Sequence, residues 1–136
     1  MSKELLLTAY ERGWNLHDPV ACAGCFTPDG TRELRLRRSQ GGAAPSEPSR
    51  GREAIRAEIA LVMEAVPDLV LEVLSAAYAS DRRLWTEWRF AGTCAGEGSD
   101  RWPSGRAVSV LGVSVFRLSN AGFSEERLYW DSAFAR

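Results

Sequence analysis

Residues 118–133 read LSNAGFSEERLYWDSA, a tight turn followed by an alternating strand. Asn120 and Gly122 mark the turn, because both residue types tolerate the backbone angles of a sharp reversal. From Glu125 to Phe134 the residues alternate in character, which predicts a strand whose two faces have different surroundings. The stretch therefore predicts that the chain ends with a strand that doubles back beside the preceding one.

Three helices are predicted in the first half of the chain. Apolar residues spaced three and four apart predict a helix from Lys3 to about Leu16. Asp18 before Pro19 is a helix start signal, because aspartate caps the helix and proline fits the first helical position. It predicts a short helix over residues 19–24, and a third amphipathic pattern covers residues 51–66.

Strands account for most of the remainder. Leu34 and Leu36 alternate with arginines and predict a short strand, and the Gly-, Pro- and Ser-rich residues 39–50 predict a mobile loop. Four long strand candidates then follow one another: Leu69 to Tyr78, Arg83 to Cys94, Arg106 to Leu118 and Glu125 to Phe134. Because helices and strands cluster instead of alternating, we expect an α+β fold. The prediction is a curved antiparallel sheet, a half-barrel or cone, wrapped around about three helices.

Length and composition narrow the class of protein. The 136 residues suit one domain, residues 1–136, without an internal repeat. Lysine and arginine number 17 against 18 acidic residues, which gives no electrostatic case for a nucleic-acid or anionic-membrane partner. No apolar run has the length of a membrane span or signal segment, and three cysteines fit a reducing compartment. We therefore expect a cytoplasmic protein.

Short motifs occur in a fixed order along nearly the whole chain. They are WNLHD at 14–18, CFTPDG at 25–30, GREAIR at 51–56, PDL at 67–69, EWR at 87–89, GT at 92–93, GVSVFR at 112–117 and YWD at 129–131. In this order and at this spacing, the chain resembles a SnoaL-like polyketide cyclase of the nuclear transport factor 2-like superfamily.

The resemblance implies a conical apolar pocket, often in a homodimer. It also implies a pocket aspartate that acts as general acid and base in an intramolecular aldol ring closure, without metal or organic cofactor. By residue match that role falls on Asp131. Relatives often carry histidine after the Gly-Thr pair, where this chain has Cys94. We expect an enzyme, a cofactor-independent cyclase or isomerase that acts on a polyketide-type intermediate of natural-product biosynthesis.

The local sequence around Asp131 supports the same residue as a catalytic candidate. If the segment is buried, Tyr129, Trp130 and Phe134 leave the carboxyl group little water, and burial favours its neutral form. A carboxyl group in such surroundings can move a proton to or from a substrate. The structural alternative is a carboxylate at a strand end that only hydrogen-bonds to backbone.

The expected pocket is aromatic. Strand alternation places Asp131 on one face with Arg127 and Tyr129, so we expect the Tyr129 hydroxyl to hydrogen-bond a substrate oxygen. Five Trp, five Phe and three Tyr suit a hydrophobic, flat or polyunsaturated small molecule as substrate. The residues expected to line the pocket are Trp14, Met63, Trp88, Phe90, Cys94, Trp102 and Tyr129.

Two other functions fit the sequence. An epoxide hydrolase or epoxide-opening cyclase needs two carboxylates with an arginine between them, one as base and one as acid. Glu87, Arg89 and Asp131 supply that set if the first two point inward; otherwise Glu87 and Arg89 belong to a cross-strand ion pair on the outer face. The third function is a non-catalytic small-molecule binding protein.

Cys22 and Cys25 form a CxxC pair on a predicted helix. That spacing alone suggests zinc or redox chemistry, but the chain has no second pair, and the only other soft ligands are Cys94 and His17. We therefore expect buried thiols and no metal site. His17 is expected to be a junction residue between two helices.

Overall fold

The helices lie in the first half of the chain and the long strands in the second. The computed structural model describes residues 2–37, 47–95 and 105–131. Within these ranges the helices are α1 (Lys3–Asn15), α2 (Pro19–Gly24) and α3 (Arg52–Ala65). The strands are β1 (Phe26–Arg37), β2 (Ser49–Arg50), β3 (Val70–Tyr78), β4 (Arg83–Thr93), β5 (Ala107–Ser119) and β6 (Gly122–Asp131). The predicted helices and long strands are confirmed to within a few residues.

The strands form one sheet in the order β2-β1-β6-β5-β4-β3. The four strands from β3 to β6 form an antiparallel meander, as expected. By contrast β1 pairs with β6 in parallel, with Arg32 opposite Glu126. The predicted α+β fold with a curved, unclosed sheet is confirmed, and the parallel pair makes that sheet mixed.

Two segments differ from the sequence prediction. The strand predicted around Leu34 and Leu36 begins earlier, at Phe26, and its register against β6 shifts between Phe26 and Thr31. Most of the loop predicted over 39–50 lies outside the described residues, and its last two residues, Ser49 and Arg50, pair with β1 as a short strand. The predicted end of the last strand, beyond residue 131, also lies outside the described residues.

Local hydrogen bonds explain where α1 and α2 begin. The Ser2 side chain accepts a hydrogen bond from the Leu5 N–H, and the Asp18 side chain accepts one from the Ala21 N–H at 3.0 Å. These bonds satisfy backbone donors that a helix start leaves unpaired. His17 has φ 56°, so the chain reverses sharply between the two helices, and its Nε2 lies 3.1 Å from the Leu69 carbonyl oxygen. The prediction that His17 is a junction residue is confirmed.

The sheet has an inner face toward the helices and an outer face toward solvent. On β4, Leu84, Trp88 and Phe90 are buried, whereas Trp85 between them is 45% exposed. On the helices, the side chains that meet the inner face recur at helical spacing: Leu6, Tyr10, Trp14, Ile55, Ile59 and Met63 are buried. In the described ranges, every helix falls short of the length or apolar character that a membrane crossing requires.

The β5–β6 turn packs against the end of α2. The Phe123 N–H donates to the Cys25 carbonyl oxygen at 2.9 Å, and this contact holds β6 beside the helix layer. Gly122 has φ 128°, and a Cβ there would lie 2.5 Å from the same oxygen. Only glycine fits here, because other residues rarely adopt this positive φ and because the Cys25 carbonyl oxygen leaves no room for a Cβ.

Replacement of Gly122 by alanine is expected to lower the free energy of unfolding by roughly 1–3 kcal/mol, through strain and overlap. Gly24→Ala is the matched control, because no atom lies within 4 Å of the added Cβ. We expect the control to equal or exceed the wild type by up to about 1 kcal/mol, since alanine favours helix. Urea unfolding of both variants tests this, and equal stabilities would contradict it.

Candidate active site

A cavity lies between the helices and the inner face of the sheet. Its volume is about 90 Å³. Its apolar lining consists of Leu7, Trp14, Leu34, Val62, Leu71, Val73, Trp88, Phe90, Phe116, Leu128 and Trp130. Tyr10, Arg32, Glu58, Ser114 and Glu126 bring polar groups to one part of this wall. The cavity therefore combines apolar walls with a few placed polar groups, the usual composition of a small-molecule site.

Glu126 is the centre of the polar cluster. It is only 2% exposed. Its Oε1 accepts hydrogen bonds from the Tyr10 hydroxyl at 2.6 Å and from Arg32 Nε at 3.0 Å. Its Oε2 accepts a third from the Ser114 hydroxyl at 2.8 Å. Both carboxylate oxygens are thus held, and the group is oriented from three directions.

Arg32 bridges two carboxylates. Besides the bond to Glu126, its Nη1 makes an ion pair with Glu58 Oε1. Burial disfavours the guanidinium charge, but Tyr10, Glu126 and Glu58 outweigh it and raise the pKa of Arg32 well above its usual value. Its guanidinium carbon also lies 5.4 Å from the centre of the Trp14 ring. Arg32 is therefore a permanently charged link between Glu58 and Glu126.

The second carboxylate, Glu58, is less enclosed than Glu126. Its side chain is 33% exposed, against 3% for Glu126. Its Oε2 accepts a hydrogen bond from the Ser49 hydroxyl at 2.8 Å, so β2 helps to hold it. Glu58 therefore stands where protons can exchange with solvent, whereas Glu126 does not.

The fold brings these groups together from distant parts of the chain. Arg32 and Glu126 are direct neighbours in the parallel β1–β6 pair, so sheet register alone places them side by side. Tyr10 comes from α1 and Glu58 from α3, which cover the inner face. Ser114 comes from β5 and has no exposed surface. Six elements thus converge on one polar cluster, counting β4, which supplies Trp88, whose indole N–H donates to Ser114.

Of the residues expected to line the pocket, Trp14, Trp88 and Phe90 do so. Met63 and Cys94 are buried in the core but are not among the lining residues. Tyr129 lies on the outer face, 36% exposed, and does not line the cavity. Trp102 lies outside the described residues.

Asp131 is the last described residue of β6. Its backbone pairs with Arg37 of β1, but its side chain lies outside the described part of the structure. The cavity is lined by Glu126, Leu128 and Trp130 from the same strand. The face of β6 that sequence reasoning treated as the pocket face, with Tyr129, is therefore the outer one. A catalytic role for Asp131 stays a prediction.

The epoxide-opening residue set proposed from sequence is wrong in two members. Glu87 and Arg89 are exposed on the outer face of β4. Arg89 Nη1 lies 3.6 Å from Glu72 Oε1 on the neighbouring strand, so it belongs to a cross-strand ion pair. The alternative interpretation of Arg89 as an outer-face ion-pair residue is confirmed. The two residues cannot reach a substrate in the cavity, because the sheet separates them from it.

The cysteines are buried thiols, as expected. Burial raises the pKa of Cys25 to about 11, and burial together with Cys25 raises that of Cys22 further. Within the described ranges, no group of three or more histidine, cysteine or acidic side chains is arranged to hold a metal ion. The CxxC spacing therefore reflects packing between α2 and the core.

Sequence reasoning missed the polar cluster itself. Arg32 is one of several arginines around Leu34 and Leu36, so its sequence context does not single it out. Glu126 follows another glutamate, so the sequence does not show which of the two faces inward. A usable signal was the apolar character of Leu128 and Trp130. These two residues share a face with Glu126 and indicate that the even-numbered positions of β6 are the buried ones.

Burial, followed by the charge of Glu126, raises the pKa of Tyr10 well above its ordinary value of 10.0. In the unfolded chain Tyr10 ionises near that value, so its contribution to stability is complete below pH 10.0 and is lost as pH rises toward the folded-state pKa. We expect the free energy of unfolding to fall above pH 10.0, and to fall less steeply in Tyr10→Phe. Urea unfolding across this pH range tests it; identical slopes would contradict it.

Comparison with known proteins supports the fold. The model of the SnoaL-like domain family matches residues 7–125. None of the curated proteins matches the chain in sequence. Among solved structures, a putative SnoaL-like polyketide cyclase from Jannaschia sp. CCS1 has a TM-score of 0.74 and 22% identity, covering 93% of this chain and 83% of that one.

Two further structures have similar folds. SalBIII, an epoxide hydrolase/cyclase-like enzyme in pyran ring formation in the polyether salinomycin, has a TM-score of 0.71 and 20% identity over 93% of this chain and 88% of that one. A protein with a ketosteroid isomerase-like fold from Catenulispora acidiphila DSM 44928 has a TM-score of 0.77 and 18% identity, covering 99% of this chain and 91% of that one. At these identities the likeness shows the fold, and the family match over most of the chain shows that it belongs to the SnoaL-like domain family.

Proposed function

We propose that this protein is a cofactor-independent cyclase that closes a ring in a polyketide-type intermediate by opening an epoxide with an internal hydroxyl group. The observation that carries the proposal is the set Glu58, Arg32 and Glu126, two carboxylates joined by one buried guanidinium at the wall of an apolar cavity. Epoxide opening needs this combination, because one group must remove a proton from the nucleophile while another protonates the epoxide oxygen.

The two carboxylates differ in the way that the reaction requires. Glu126 accepts three hydrogen bonds and donates none, the arrangement of an ionised carboxylate and hence of a general base. Glu58 also accepts at both oxygens, from Arg32 and Ser49, but its side chain is 33% exposed, so it is the carboxylate that solvent can protonate before each turnover. With one proton on Glu58, the set carries one positive and one negative charge and is neutral, which suits a dry cavity. We assign the base to Glu126 and the acid to Glu58.

Arg32 has a second role in the proposal. Its Nε and Nη1 make the hydrogen bonds given above, whereas Nη2 makes none within the described ranges. Because Arg32 lines the cavity, Nη2 is available to an acceptor oxygen of the substrate, the epoxide or a carbonyl group. The remaining charged residues of the lining are acidic, Glu11 and Glu47 among them. The site therefore suits a neutral substrate and disfavours a carboxylate.

Cavity size and polarity favour cyclisation over hydrolysis. A volume of about 90 Å³ admits only the reacting end of a larger substrate. The apolar walls leave few groups to hold an attacking water, so an internal hydroxyl is the better-placed nucleophile. Holding the reacting ends together can itself lower the barrier by roughly 7–11 kcal/mol in the best cases. The protein then has little to supply beyond shape and two proton transfers.

A second candidate reaction is an aldol-type closure or isomerisation. It is favoured by the Tyr10 hydroxyl, which lies 2.6 Å from Glu126 and 3.2 Å from Arg32 Nε. In this reaction Glu126 would take a proton from carbon, and Tyr10 and Arg32 would stabilise the enolate oxygen that forms. Glu126 would serve as base in both reactions, so the two reactions are distinguished by which substrate the protein converts.

The assay offers the purified protein two probes, an apolar hydroxy-epoxide and an apolar β-polyketone, and follows products by mass spectrometry. Cyclisation of the epoxide leaves the mass unchanged, whereas hydrolysis adds one water. Glu126→Gln and Glu58→Gln are each expected to reduce epoxide cyclisation roughly 10²–10⁴-fold, the usual contribution of general acid–base catalysis. Glu87→Gln is the matched control on the outer face and should retain wild-type turnover.

The outcomes separate the candidates. Activity on the polyketone alone, lost in Glu126→Gln and retained in Glu58→Gln, would replace epoxide opening by the second reaction. Loss of turnover in Asp131→Asn with full activity in Glu126→Gln would return the acid–base role to Asp131. Binding of both probes without turnover would leave a small-molecule binding protein.

We also propose a homodimer that forms through the outer face of the sheet. Four large apolar side chains are exposed there, Trp85, Leu111, Val113 and Tyr129, on three adjacent strands. Val113 is paired in register with Tyr129, so part of this patch is continuous across β5 and β6. Exposed apolar patches of this kind mark association surfaces. A second copy, which carries the same patch, is a self-complementary partner for it.

Trp85→Glu is expected to convert the dimer to a monomer, because it places a charge within the proposed apolar contact. Light scattering after size-exclusion chromatography measures the mass. Leu61→Glu is the control, because Leu61 is an exposed apolar residue on α3, away from the outer face of the sheet, and this change should leave the dimer intact. A wild-type protein that is monomeric at all concentrations would refute the proposal.

A further inference from the structure

Trp88 lies flat across the sheet over Gly112. The two residues are paired in register on β4 and β5. A Cβ at position 112 would lie 2.4 Å from the Cη2 and Cζ2 atoms of the indole ring. Any larger residue at 112 would therefore displace the ring, which also makes an edge-to-face contact with Trp130 at a centroid distance of 5.6 Å. Gly112 thus fixes where the indole of Trp88 lies.

That ring position matters for a hydrogen bond. The Trp88 indole N–H donates to the Ser114 hydroxyl oxygen at 2.9 Å. The same hydroxyl group donates to Glu126 Oε2 at 2.8 Å. An indole N–H can only donate, whereas a hydroxyl has one proton and two lone pairs. With a lone pair of Ser114 occupied by Trp88, the hydroxyl proton is directed toward Glu126.

We propose that Trp88, seated on Gly112, is a positioning residue that directs the Ser114 hydroxyl onto Glu126 and so orients that carboxylate toward the cavity. The role that Glu126 then plays rests on the proposed function, but the relay from Trp88 through Ser114 does not. All three side chains are buried. Water therefore does not compete for the two hydrogen bonds, and each is worth more than it would be at the surface.

The relay links the wall of the cavity to the base. Trp88 is itself a lining residue, so part of its side chain borders whatever fills the cavity. A substrate that presses on this ring acts on Glu126 through two hydrogen bonds. The other Glu126 oxygen, Oε1, accepts from Tyr10 and Arg32, and within the described ranges the Ser114 hydroxyl is the only hydrogen-bond donor to Oε2. Loss of that contact would leave Oε2 without its donor, and the carboxylate would then be oriented through Oε1 alone.

The test measures hydrogen exchange of the indole N–H groups in ¹⁵N-labelled protein by NMR, without substrate. The Trp88 indole N–H is expected to exchange slowly, and that of the exposed Trp85 rapidly. Ser114→Ala should speed exchange at Trp88 by about tenfold, because the acceptor is removed. Gly112→Ala should do the same and shift the Trp88 resonance, whereas Gly24→Ala should change neither.

A general loss of stability is recognised from the backbone amides of β4 and β5, which would then exchange faster together. Fast exchange at Trp88 in the wild type, or no change in Ser114→Ala, would overturn the relay whatever the protein catalyses. In the assay above, Trp88→Phe keeps the wall and removes the donor, so it should lower kcat and leave KM nearly unchanged. If kcat and KM change by the same factor in Trp88→Phe, Trp88 only forms part of the cavity wall and is not a positioning residue.

Discussion

The contact between Arg32 and Glu126 is the interaction on which the arrangement of the other groups depends. Two buried charges are costly unless they are paired and their remaining hydrogen-bonding positions are filled. Here the pairing comes from the parallel β1–β6 register, and Tyr10 and Glu58 satisfy further positions from the helix layer. The ion pair therefore ties α1 and α3 to the sheet at the point where the cavity begins. The same ion pair therefore helps to hold the helices against the sheet and supplies the polar groups of the site.

Much of the fold follows from local sequence. The long strands alternate in burial, Ser2 and Asp18 cap their helices, and Gly122 forms the last turn. The parallel pairing of β1 with β6 does not follow from it, because parallel neighbours are joined by long connections and are chosen by tertiary packing. The partners Arg32 and Glu126 lie 94 residues apart in the chain. No pattern within a window of ten or so residues contains that information.

The apolar part of the site could be predicted from local sequence, whereas the polar part could not, because it depends on pairing between distant residues. Trp14, Trp88 and Phe90 can be predicted as lining residues, since large aromatic side chains on a buried face pack in the core or at a cavity wall. A buried arginine cannot be recognised in this way, because arginine and glutamate are rarely buried without a partner, and the partner is not visible in the local sequence. On β6 the error was one of face: a shift of one residue exchanges Tyr129 for Trp130 and Arg127 for Glu126. Knowledge of either partner would have corrected it.

The fold alone does not require this polar cluster. Buried ion pairs can often be replaced by apolar side chains of similar volume without loss of stability, because desolvation cancels much of the attraction. Leucine or methionine at positions 32 and 126 would extend the apolar core that already surrounds Trp88 and Phe90. The chain instead keeps a carboxylate that is held by three donors at the wall of an apolar cavity. A carboxylate oriented at that wall is well placed to take a proton from a bound molecule, which is the physical basis of the proposal that Glu126 is the base.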